Sequence, residues 1–366
     1  MLTENIDTNT INKTSTLTYR EALLKSMDDA LQNFPNVIIM GQGVDDHKGT
    51  FGSTLSLSEK YGNQRVFDIP LSEEGTTGVA IGAALNGLYP IQTHIRTDFS
   101  LLAMSQIINI AAKYKYMYGG MFEVPMLMRL IIGRSWGQGA QHSQSLQSLF
   151  AHIPGLHVIM PSSSDAVLSS YNYAISYHKG PVISLEHRIL YDLNFKINEE
   201  ESDTVSNPFD SRIIKKGKDI TIVATSIMVV ESLRVSEYLW PEAGIDCEII
   251  DLHSISHFNK QLIIDSVTKT GKLLIADTSW QAFGVCAEIP RIICEYDPGI
   301  LKAPVVTVGM QPSPCPTSKE LEELFYPNMH SLTQKVADLV KGKNNNIKLP
   351  DESSMTEGYK KFRGPF

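Results

Sequence analysis

The chain has 366 residues, a length that accommodates two domains of ordinary size. Its composition of 42% hydrophobic and 20% charged residues is typical of a soluble globular protein. The formal net charge of −8 argues against a large nucleic-acid-binding surface. No apolar run approaches the roughly 18 residues of a membrane span, and the opening residues do not resemble a secretory signal, so we predict a cytoplasmic protein.

The chain has four cysteines, none of which forms a CxxC pair or has zinc-ligand spacing with histidine. Their surroundings are mostly apolar. We therefore predict buried free thiols, with a disulfide as the alternative. The cysteines are Cys247, Cys286, Cys294 and Cys315.

Residues 1–17 are polar and are predicted to form a flexible arm. From residue 18 to residue 191, short apolar segments alternate with segments of helical periodicity. Alternation of this kind predicts a mostly parallel sheet covered by helices on both faces. The predicted strands are NVIIMG, RVFDIP, YPIQTHI, VPMLMRLII, HVIMPS and PVISLE.

A polar segment without clear periodicity, 192–215, is predicted to be a linker to a second unit of the same kind. Over 216–342 the segments DITIVAT, CEIIDL, KLLIAD and PVVTVG are predicted strands separated by helices. Residues 343–366 are predicted to form a polar, loosely attached tail. The predicted fold class is therefore α/β, with two doubly wound and mostly parallel sheets.

Two adjacent carboxylates, Glu73 and Glu74, lie where the strand RVFDIP gives way to a small-residue helix. A carboxyl group that is partly desolvated at such a junction can stay protonated near pH 7 and donate to a ring nitrogen. The alternative is an exposed glutamate at a helix start, where the helix dipole favours negative charge.

A loop rich in glycine, amides and hydroxyls, GRSWGQGAQHSQS (133–145), follows a buried strand. Loops at the C-terminal ends of parallel strands bind ligands, so His142 is a candidate functional residue. The alternative is a histidine that braces the loop. Phe99 is predicted to be a core residue unless a planar ligand lies beside it. The chain has no dinucleotide-binding or P-loop motif.

Four segments follow one another in a characteristic order and spacing: RVFDIPLSEEGTTGVAIGAALNGLYPI, DFSLLAMSQIINIAAKYKYMYGG, GAQHSQS and HIPGLHVIMPSS. Together they closely resemble the β subunit of the E1 component of 2-oxo acid dehydrogenases. These are the thiamine-diphosphate enzymes of the pyruvate, branched-chain and acetoin dehydrogenase complexes. The resemblance implies a pyrimidine-binding domain at 18–191 and a transketolase C-terminal domain at 216–342.

The resemblance also implies roles for individual residues. Glu73 matches the family glutamate that hydrogen-bonds N1′ of the cofactor's aminopyrimidine and moves the proton that activates the cofactor. Phe99 matches an aromatic residue that stacks on the pyrimidine, and Leu71 and Ser72 would line the pocket around it. His142 matches a histidine near the reacting carbon, where it orients substrate or relays protons.

The chain lacks the GDG motif through which the family binds Mg²⁺ and the diphosphate. The resemblance therefore implies that an α subunit holds Mg²⁺, that this chain supplies no metal ligand, and that the two chains form an α2β2 heterotetramer. The implied activity is oxidative decarboxylation of a small 2-oxo acid such as pyruvate, with acyl transfer to lipoyl-E2. The enzyme would be active only with both subunits present.

Three departures from the family pattern limit this carry-over. Gln42 replaces the first glutamate of the usual GEDV or GEEV, and an amide cannot carry a proton between paired active sites. Tyr177 and Lys179 lie where the family often has an aspartate near a structural potassium ion, so we predict no potassium there. The segments IDLHSISHFN and GMQPSPCPTS also differ from the family.

These departures leave open a split transketolase-like enzyme that transfers an acyl or ketol unit to an aldehyde or sugar. A third hypothesis is a non-catalytic subunit.

Overall fold

The computed structural model describes residues 14–134, 137–198, 207–351 and 354–361. The strands are β1 Thr14–Thr18, β2 Val37–Gly41, β3 Val66–Asp68, β4 Tyr89–His94, β5 Met126–Ile132, β6 His157–Ile159, β7 Pro181–His187, β8 Asn194–Asn198, β9 Arg212–Lys215, β10 Ile220–Ala224, β11 Cys247–Asp251, β12 Leu273–Trp280 and β13 Val306–Met310.

The α-helices are Tyr19–Asn33, Leu57–Tyr61, Glu73–Leu85, Thr97–Ser100, Tyr114–Met117, Gln147–Ala151, Ser164–Ser176, Ile227–Ala243, Lys260–Thr270, Val285–Tyr296, Lys319–Phe325, Met329–Lys341 and Ser354–Lys361. Short 3₁₀ turns cover Thr50–Gly52, Leu101–Ala103, Arg188–Asp192 and Pro298–Ile300, and Ser105–Ala111 is a π-helix.

The first sheet has six parallel strands in the order β3-β2-β4-β5-β7-β6. Every residue of β4, β5 and β7 is buried, as expected of parallel strands covered on both faces. The chain passes from β2 to β3 on one side and then to β4 on the other. The C-terminal ends of β2 and β4 therefore flank a topological switch point, where open α/β sheets bind ligands.

The second sheet has five strands in the order β13-β12-β10-β11-β9. Its inner strands are parallel, and β9 pairs antiparallel with β11 at one edge. Helices accompany both sheets, so the predicted α/β class with two doubly wound, mostly parallel sheets is confirmed.

Two predictions about irregular segments need correction. Residues 14–17 of the predicted arm belong to β1, which pairs antiparallel with β8. β8 and β9 both lie within the predicted linker 192–215. The polar composition of these segments hid their strand character. β1 and β8 pair with each other although they are far apart in the sequence, and β9 is itself the edge strand of its sheet. Residues 1–13 and 199–206 lie outside the described residues.

The predicted loose attachment of the C-terminal tail is wrong for its described part. The helix Ser354–Lys361 packs against the helix Ile227–Ala243, and the backbone N–H of Met355 donates to Glu231 Oε1 at 3.0 Å. The hydroxyl of Tyr238 donates to the carbonyl of Lys348 at 2.9 Å. These contacts join residues over a hundred positions apart, so local composition carries no trace of them.

The spacing of apolar residues in LAMSQIINIAAKYKYM (102–117) predicts a single amphipathic helix. The structure divides it into the 3₁₀ turn, the π-helix and the α-helix Tyr114–Met117. The periodicity therefore predicts helical structure correctly, but it does not reveal that the helix type changes from 3₁₀ to π to α along the segment. Within the described ranges, no helix is long and apolar enough to cross a membrane.

All four cysteines are free, as predicted. Cys247, Cys286 and Cys315 are buried, whereas Cys294 is exposed on the helix Val285–Tyr296. The prediction of burial is therefore correct for three thiols and wrong for Cys294, which lies on the solvent side of an amphipathic helix.

Candidate functional site

Glu73 lies at the switch point of the first sheet. It is the first residue of the helix Glu73–Leu85, is 9% exposed, and accepts a hydrogen bond from Gln42 Nε2 at 3.2 Å. Gln42 directly follows β2. Glu74, one residue further on, is exposed. The neighbouring carboxylates are thus distinguished by burial, and only Glu74 fits the description of an exposed glutamate at a helix start.

His94 ends β4 beside this group, because Gly41 and Thr93 are paired in the adjacent strands. Burial lowers the pKa of His94 to about 4, while the negative charge of Glu73 acts in the opposite direction. The imidazole is therefore neutral at pH 7. Its Nε2 is buried without a hydrogen-bond partner among the described residues. Since buried polar atoms are normally paired, this atom marks a place where a ligand or water can bind.

Phe99 and His142 meet at a second part of the same sheet edge. Their ring centroids are 5.2 Å apart and their planes meet at 84°. Both side chains are half-buried, so Phe99 is not a fully packed core residue. They line a cavity of about 400 Å³, a size that suits a small ligand. The cavity is lined by Phe51, Ile95, Arg96, Phe99, Gly137, Gln138 and His142.

The loop that carries His142 is anchored at both ends. Gly133 has a φ of +89°, and a Cβ atom there would lie 2.5 Å from His187 Nε2, so only glycine fits at the start of the loop. Further along, Asp98 Oδ1 accepts a hydrogen bond from Gln144 Nε2 at 2.9 Å. This bond ties the loop to the helix Thr97–Ser100, which contains Phe99.

The C-terminal domain also holds this loop. The hydroxyl of Tyr326 donates to the carbonyl of Ser143 at 3.4 Å, and Gln147 Nε2 donates to the buried Asp277 Oδ1 at 2.8 Å. Burial raises the pKa of the Asp277 carboxyl above its usual value, and three hydrogen bonds to this carboxyl act in the opposite direction. The position of His142 therefore depends on contacts between the two domains.

Three buried arginines line up along the same edge. Arg96, Arg134 and Arg188 lie one or two residues beyond β4, β5 and β7, which are adjacent in the sheet. Arg96 Nη1 donates to the carbonyl of Gly133 at 3.2 Å and lines the cavity. Burial and the nearby Arg188 lower the pKa of Arg96 to about 10.

The predicted site residues fall into two groups on one edge. Glu73 is beside Gln42 and His94, whereas Phe99 and His142 share the cavity. In the described ranges, no hydrogen bond or ring contact joins Glu73 to either of the latter. The helix Glu73–Leu85 does pack against the turn Leu101–Ala103, which follows Phe99 closely.

Leu71 and Ser72, predicted to line the pyrimidine pocket, are exposed in this chain. Leu71 is 83% exposed and lies outside the lining of the cavity. Among the described residues, no group of three or more His, Cys, Asp or Glu side chains is arranged to hold a metal ion.

Sequence patterns did not single out Phe51 or Arg96, which also line the cavity. Phe51 lies in the 3₁₀ turn Thr50–Gly52, far from Phe99 in the sequence. The sequence did contain a pattern that could have pointed to Arg96, because an arginine recurs one or two residues beyond three of the buried strands. Recognising it required knowing that β4, β5 and β7 are neighbours, and β6 intervenes between the last two along the chain.

Comparison with known proteins agrees with this architecture. Two family models match, "Transketolase, pyrimidine binding domain" over residues 15–193 and "Transketolase, C-terminal domain" over residues 210–332. Among solved structures, "Split gene transketolase, inactive beta4 tetramer" superimposes with a TM-score of 0.73 and 21% identity, over 90% of this chain and 100% of that chain. At that identity the likeness shows the fold alone.

Curated relatives share much more of the sequence. Pyruvate dehydrogenase E1 component subunit beta-1, mitochondrial, of Arabidopsis thaliana is 37% identical over 87% of this chain and 88% of its own. The corresponding Saccharomyces cerevisiae subunit is 35% identical over 90% of both chains, and that of Rhizobium meliloti is 35% identical over 88% of this chain and 69% of its own. The chain belongs to the family of pyruvate dehydrogenase-type E1 component β subunits, built from transketolase pyrimidine-binding and C-terminal domains.

Proposed function

We propose that this chain is the β subunit of a thiamine-diphosphate-dependent 2-oxo acid dehydrogenase E1 component. The reaction would be oxidative decarboxylation of a small 2-oxo acid such as pyruvate, with acyl transfer to lipoyl-E2. The observation that carries the proposal is the buried Glu73 at the switch point, hydrogen-bonded to Gln42 and next to the unpaired Nε2 of His94. The names of the curated relatives support the same activity.

The residues at this edge fit the aminopyrimidine half of thiamine diphosphate. Glu73 would hold a proton at the pyrimidine N1′. The buried Nε2 of His94, which has no hydrogen-bond partner among the described residues, would face a polar group of the bound ring. Phe99 offers a half-buried aromatic face, and Leu71 and Ser72 flank Glu73. When bound, the cofactor supplies the carbanion that attacks the 2-oxo carbon and the sink for the electrons left by decarboxylation.

The other residues of the site would act on the substrate. His142 lines the cavity with a ring nitrogen available to orient a carbonyl or to relay a proton. Phe51, Ile95 and Phe99 keep the adjoining walls apolar, which excludes water and strengthens hydrogen bonds inside the cavity.

A partner α subunit would complete the site. The absence of a GDG motif from the sequence leaves Mg²⁺ and the diphosphate to that subunit. Apolar side chains near Glu73 support such a partner, because Leu71, Val79 and Leu102 are 83%, 65% and 62% exposed. Large apolar side chains left this exposed are typical of subunit interfaces. An α2β2 heterotetramer is the proposed assembly.

A split transketolase-like enzyme, transferring an acyl or ketol unit to an aldehyde or sugar, is the second candidate. Gln42 favours it, since the neutral amide beside Glu73 departs from the usual glutamate.

The proposed cytoplasmic location rests on composition and pattern, and the Arabidopsis and yeast relatives are named as mitochondrial proteins.

The test uses the chain co-purified with its α subunit. We expect Glu73→Gln to lower the rate of hydrogen–deuterium exchange at C2 of bound thiamine diphosphate by about 10²-fold or more, because the proton donor is removed. Assembly should persist, as measured by analytical ultracentrifugation. Glu74→Gln is the matched control and should exchange like the wild type, since Glu74 is exposed.

Undiminished exchange in Glu73→Gln would refute the role given to Glu73. Turnover separates the two candidates. Ferricyanide reduction that depends on a 2-oxo acid supports the dehydrogenase, and no decarboxylation of any 2-oxo acid refutes it. Product formed from a 2-oxo acid plus an aldehyde, without E2, would favour the transferase.

A further inference from the structure

The second sheet has a switch point of its own. The chain passes from β10 to β11 on one side and then to β12 on the other, so the C-terminal ends of β10 and β12 flank this point. Open α/β sheets bind ligands at such points. In this chain the fully buried side chain of Gln147, from the first domain, reaches the point and donates to Asp277 in β12. The C-terminal domain therefore holds a side chain of the other domain where sheets of this kind hold a ligand.

The segment 143–147 directly follows the histidine of the loop and lies between the two domains. Ser143, Ser145 and Gln147 are buried, whereas the two residues between them are half-buried. Burial that alternates with a period of two indicates an extended segment whose successive side chains face opposite surfaces. Gln144, on one side, is hydrogen-bonded to the first domain. The buried residues on the other side contact the C-terminal domain.

Three consecutive residues of β12 make contacts on the buried side. Ser279 Oγ donates to the carbonyl of Ser145 at 2.8 Å, and the hydroxyl oxygens of Ser145 and Thr278 are 3.2 Å apart. Gln147 Nε2 donates to Asp277 Oδ1 at 2.8 Å, and Ser145 Oγ donates to Gln147 Oε1 at 2.8 Å. Since its amide nitrogen donates and its amide oxygen accepts, the side chain of Gln147 is fixed in one orientation.

Asp277 is the centre of these contacts. Its Oδ1 accepts from Gln147, from the Thr225 hydroxyl at 2.6 Å and from the Thr278 backbone N–H at 2.8 Å. All three donors are neutral, and among the described residues no lysine or arginine pairs with this buried carboxyl group. Burying an acid without a cation costs free energy, so an apolar residue would suit the packing of the sheet better. The acceptor at Oδ1 is therefore better explained by the segment that it holds.

The imidazole of His142 depends on this anchoring. In the described parts of the chain no hydrogen bond holds the ring, which lies against Phe99 and lines the cavity. We propose that Asp277 is a positioning residue: by holding Gln147 it fixes the backbone that follows His142 and so directs the imidazole into the cavity. The action of His142 on the substrate rests on the proposed function, whereas the anchoring of the loop by Asp277 does not.

The complex with the α subunit tests this. Asp277→Leu should lower kcat for 2-oxo-acid-dependent ferricyanide reduction about tenfold or more, because a small displacement of a catalytic group costs a large part of the rate. Exchange at C2 of the cofactor should stay within about twofold of the wild type, since Glu73 belongs to the other group of site residues. Asp277→Asn keeps the acceptor at Oδ1 and should keep kcat within about threefold of the wild type. Asp265→Leu, the same change at an exposed position of this domain, should have no effect.

A double-mutant cycle separates positioning from a general packing defect. In a His142→Gln background, Asp277→Leu should lower kcat by less than about twofold, because both changes disable the same group. Equal losses in both backgrounds, an undiminished kcat in Asp277→Leu, or an Asp277→Asn variant as slow as Asp277→Leu would each overturn the proposal. If Asp277→Leu fails to assemble, Gln147→Met removes the same hydrogen bond from the loop side and takes its place in the cycle.

If no 2-oxo acid is turned over, the proposed function fails separately. Hydrogen–deuterium exchange of backbone amides, followed by mass spectrometry of the complex, then decides the role of Asp277. Peptides covering 137–147 should exchange about tenfold faster in Asp277→Leu than in the wild type and in Asp277→Asn, while peptides from β5 exchange alike in all three proteins. Equal exchange of 137–147 in the three proteins would overturn the proposal.

Discussion

At the residue scale, the pairing of Gln42 with Glu73 decides how the carboxyl group at the switch point is held. An amide can donate one hydrogen bond to the carboxyl oxygen but cannot exchange a proton with it. The neutral His94 on the next strand adds a second polar group without adding charge. The side chains that the two neighbouring strands place beside Glu73 are therefore a neutral amide and a neutral imidazole.

Gln42→Glu should change the pH dependence of the site. Two carboxyl groups at the 3.2 Å separation of the present hydrogen bond cannot both be charged, so the pair would retain one proton to higher pH. We expect the pH midpoint of C2 exchange in the assembled complex to move upward by about one unit or more. Gln42→Met removes the hydrogen bond to Glu73 without adding an acid, so it should move the midpoint upward by less than Gln42→Glu does. An unshifted Gln42→Glu profile would contradict the expectation.

At the element scale, a buried ion pair joins β5 to β7. Arg129 and Glu186 are both fully buried and form two hydrogen bonds of 2.7 and 2.8 Å. The hydroxyls of Tyr171 and Tyr191 also donate to Glu186, and Ser53 accepts from Arg129 Nη2. The network connects the sheet to the helix Ser164–Ser176 and to the turns around Phe51 and Arg188.

Glu186→Gln should destabilise the protein by about 3–5 kcal/mol, because it leaves the buried arginine without its counter-charge. Urea denaturation followed by circular dichroism measures this loss. The double variant Arg129→Met/Glu186→Leu should recover only part of it. An apolar pair of similar volume can replace a buried ion pair, but the hydroxyls of Tyr171 and Tyr191 lose the acceptor that Glu186 provides. A loss below about 1 kcal/mol in Glu186→Gln would contradict a structural role for the pair.

The segment around Arg129 shows what local pattern can and cannot predict. VPMLMRLII was correctly predicted to be a buried strand, because apolar residues surround the arginine. Its partner, Glu186, is 57 positions away. No spacing rule connects them, because the pairing depends on β5 and β7 lying side by side with β6 at the edge.

At the scale of the whole molecule, a histidine stack links the two domains. His157 begins β6, and its ring lies parallel to that of His257, with centroids 4.6 Å apart and planes at 12°. Burial, with the neighbouring His257 and His178, lowers the pKa of His157 to about 3. His257 lies within IDLHSISHFN, the segment that departs from the family pattern. Protonation of either ring is therefore disfavoured in the folded protein.

The domain contact should therefore weaken in acid. The unfolded chain protonates His157 near pH 6.5, whereas the native chain resists protonation until about pH 3, so stability falls as pH falls between these values. We expect His157 to contribute a loss of at most about 2 kcal/mol between pH 7.5 and pH 5. Chemical denaturation at both pH values should show a smaller loss in His157→Phe than in the wild type. His152→Phe, at an exposed position, should lose as much as the wild type, and an equal loss in all three proteins would contradict the assignment.

The sequence alone determined the two α/β units, the buried strands, the free thiols and the family, because periodicity and contiguous motifs record local structure and ancestry. It also pointed to Glu73, whose neighbours in the chain form a motif. Tertiary structure alone decided that Glu73 is buried while Glu74 is exposed, that β1 and β8 pair, and that Arg96 and Phe51 share a cavity with His142. These facts depend on strand order and on contacts between the domains, which bring distant residues together and leave no local pattern in the chain.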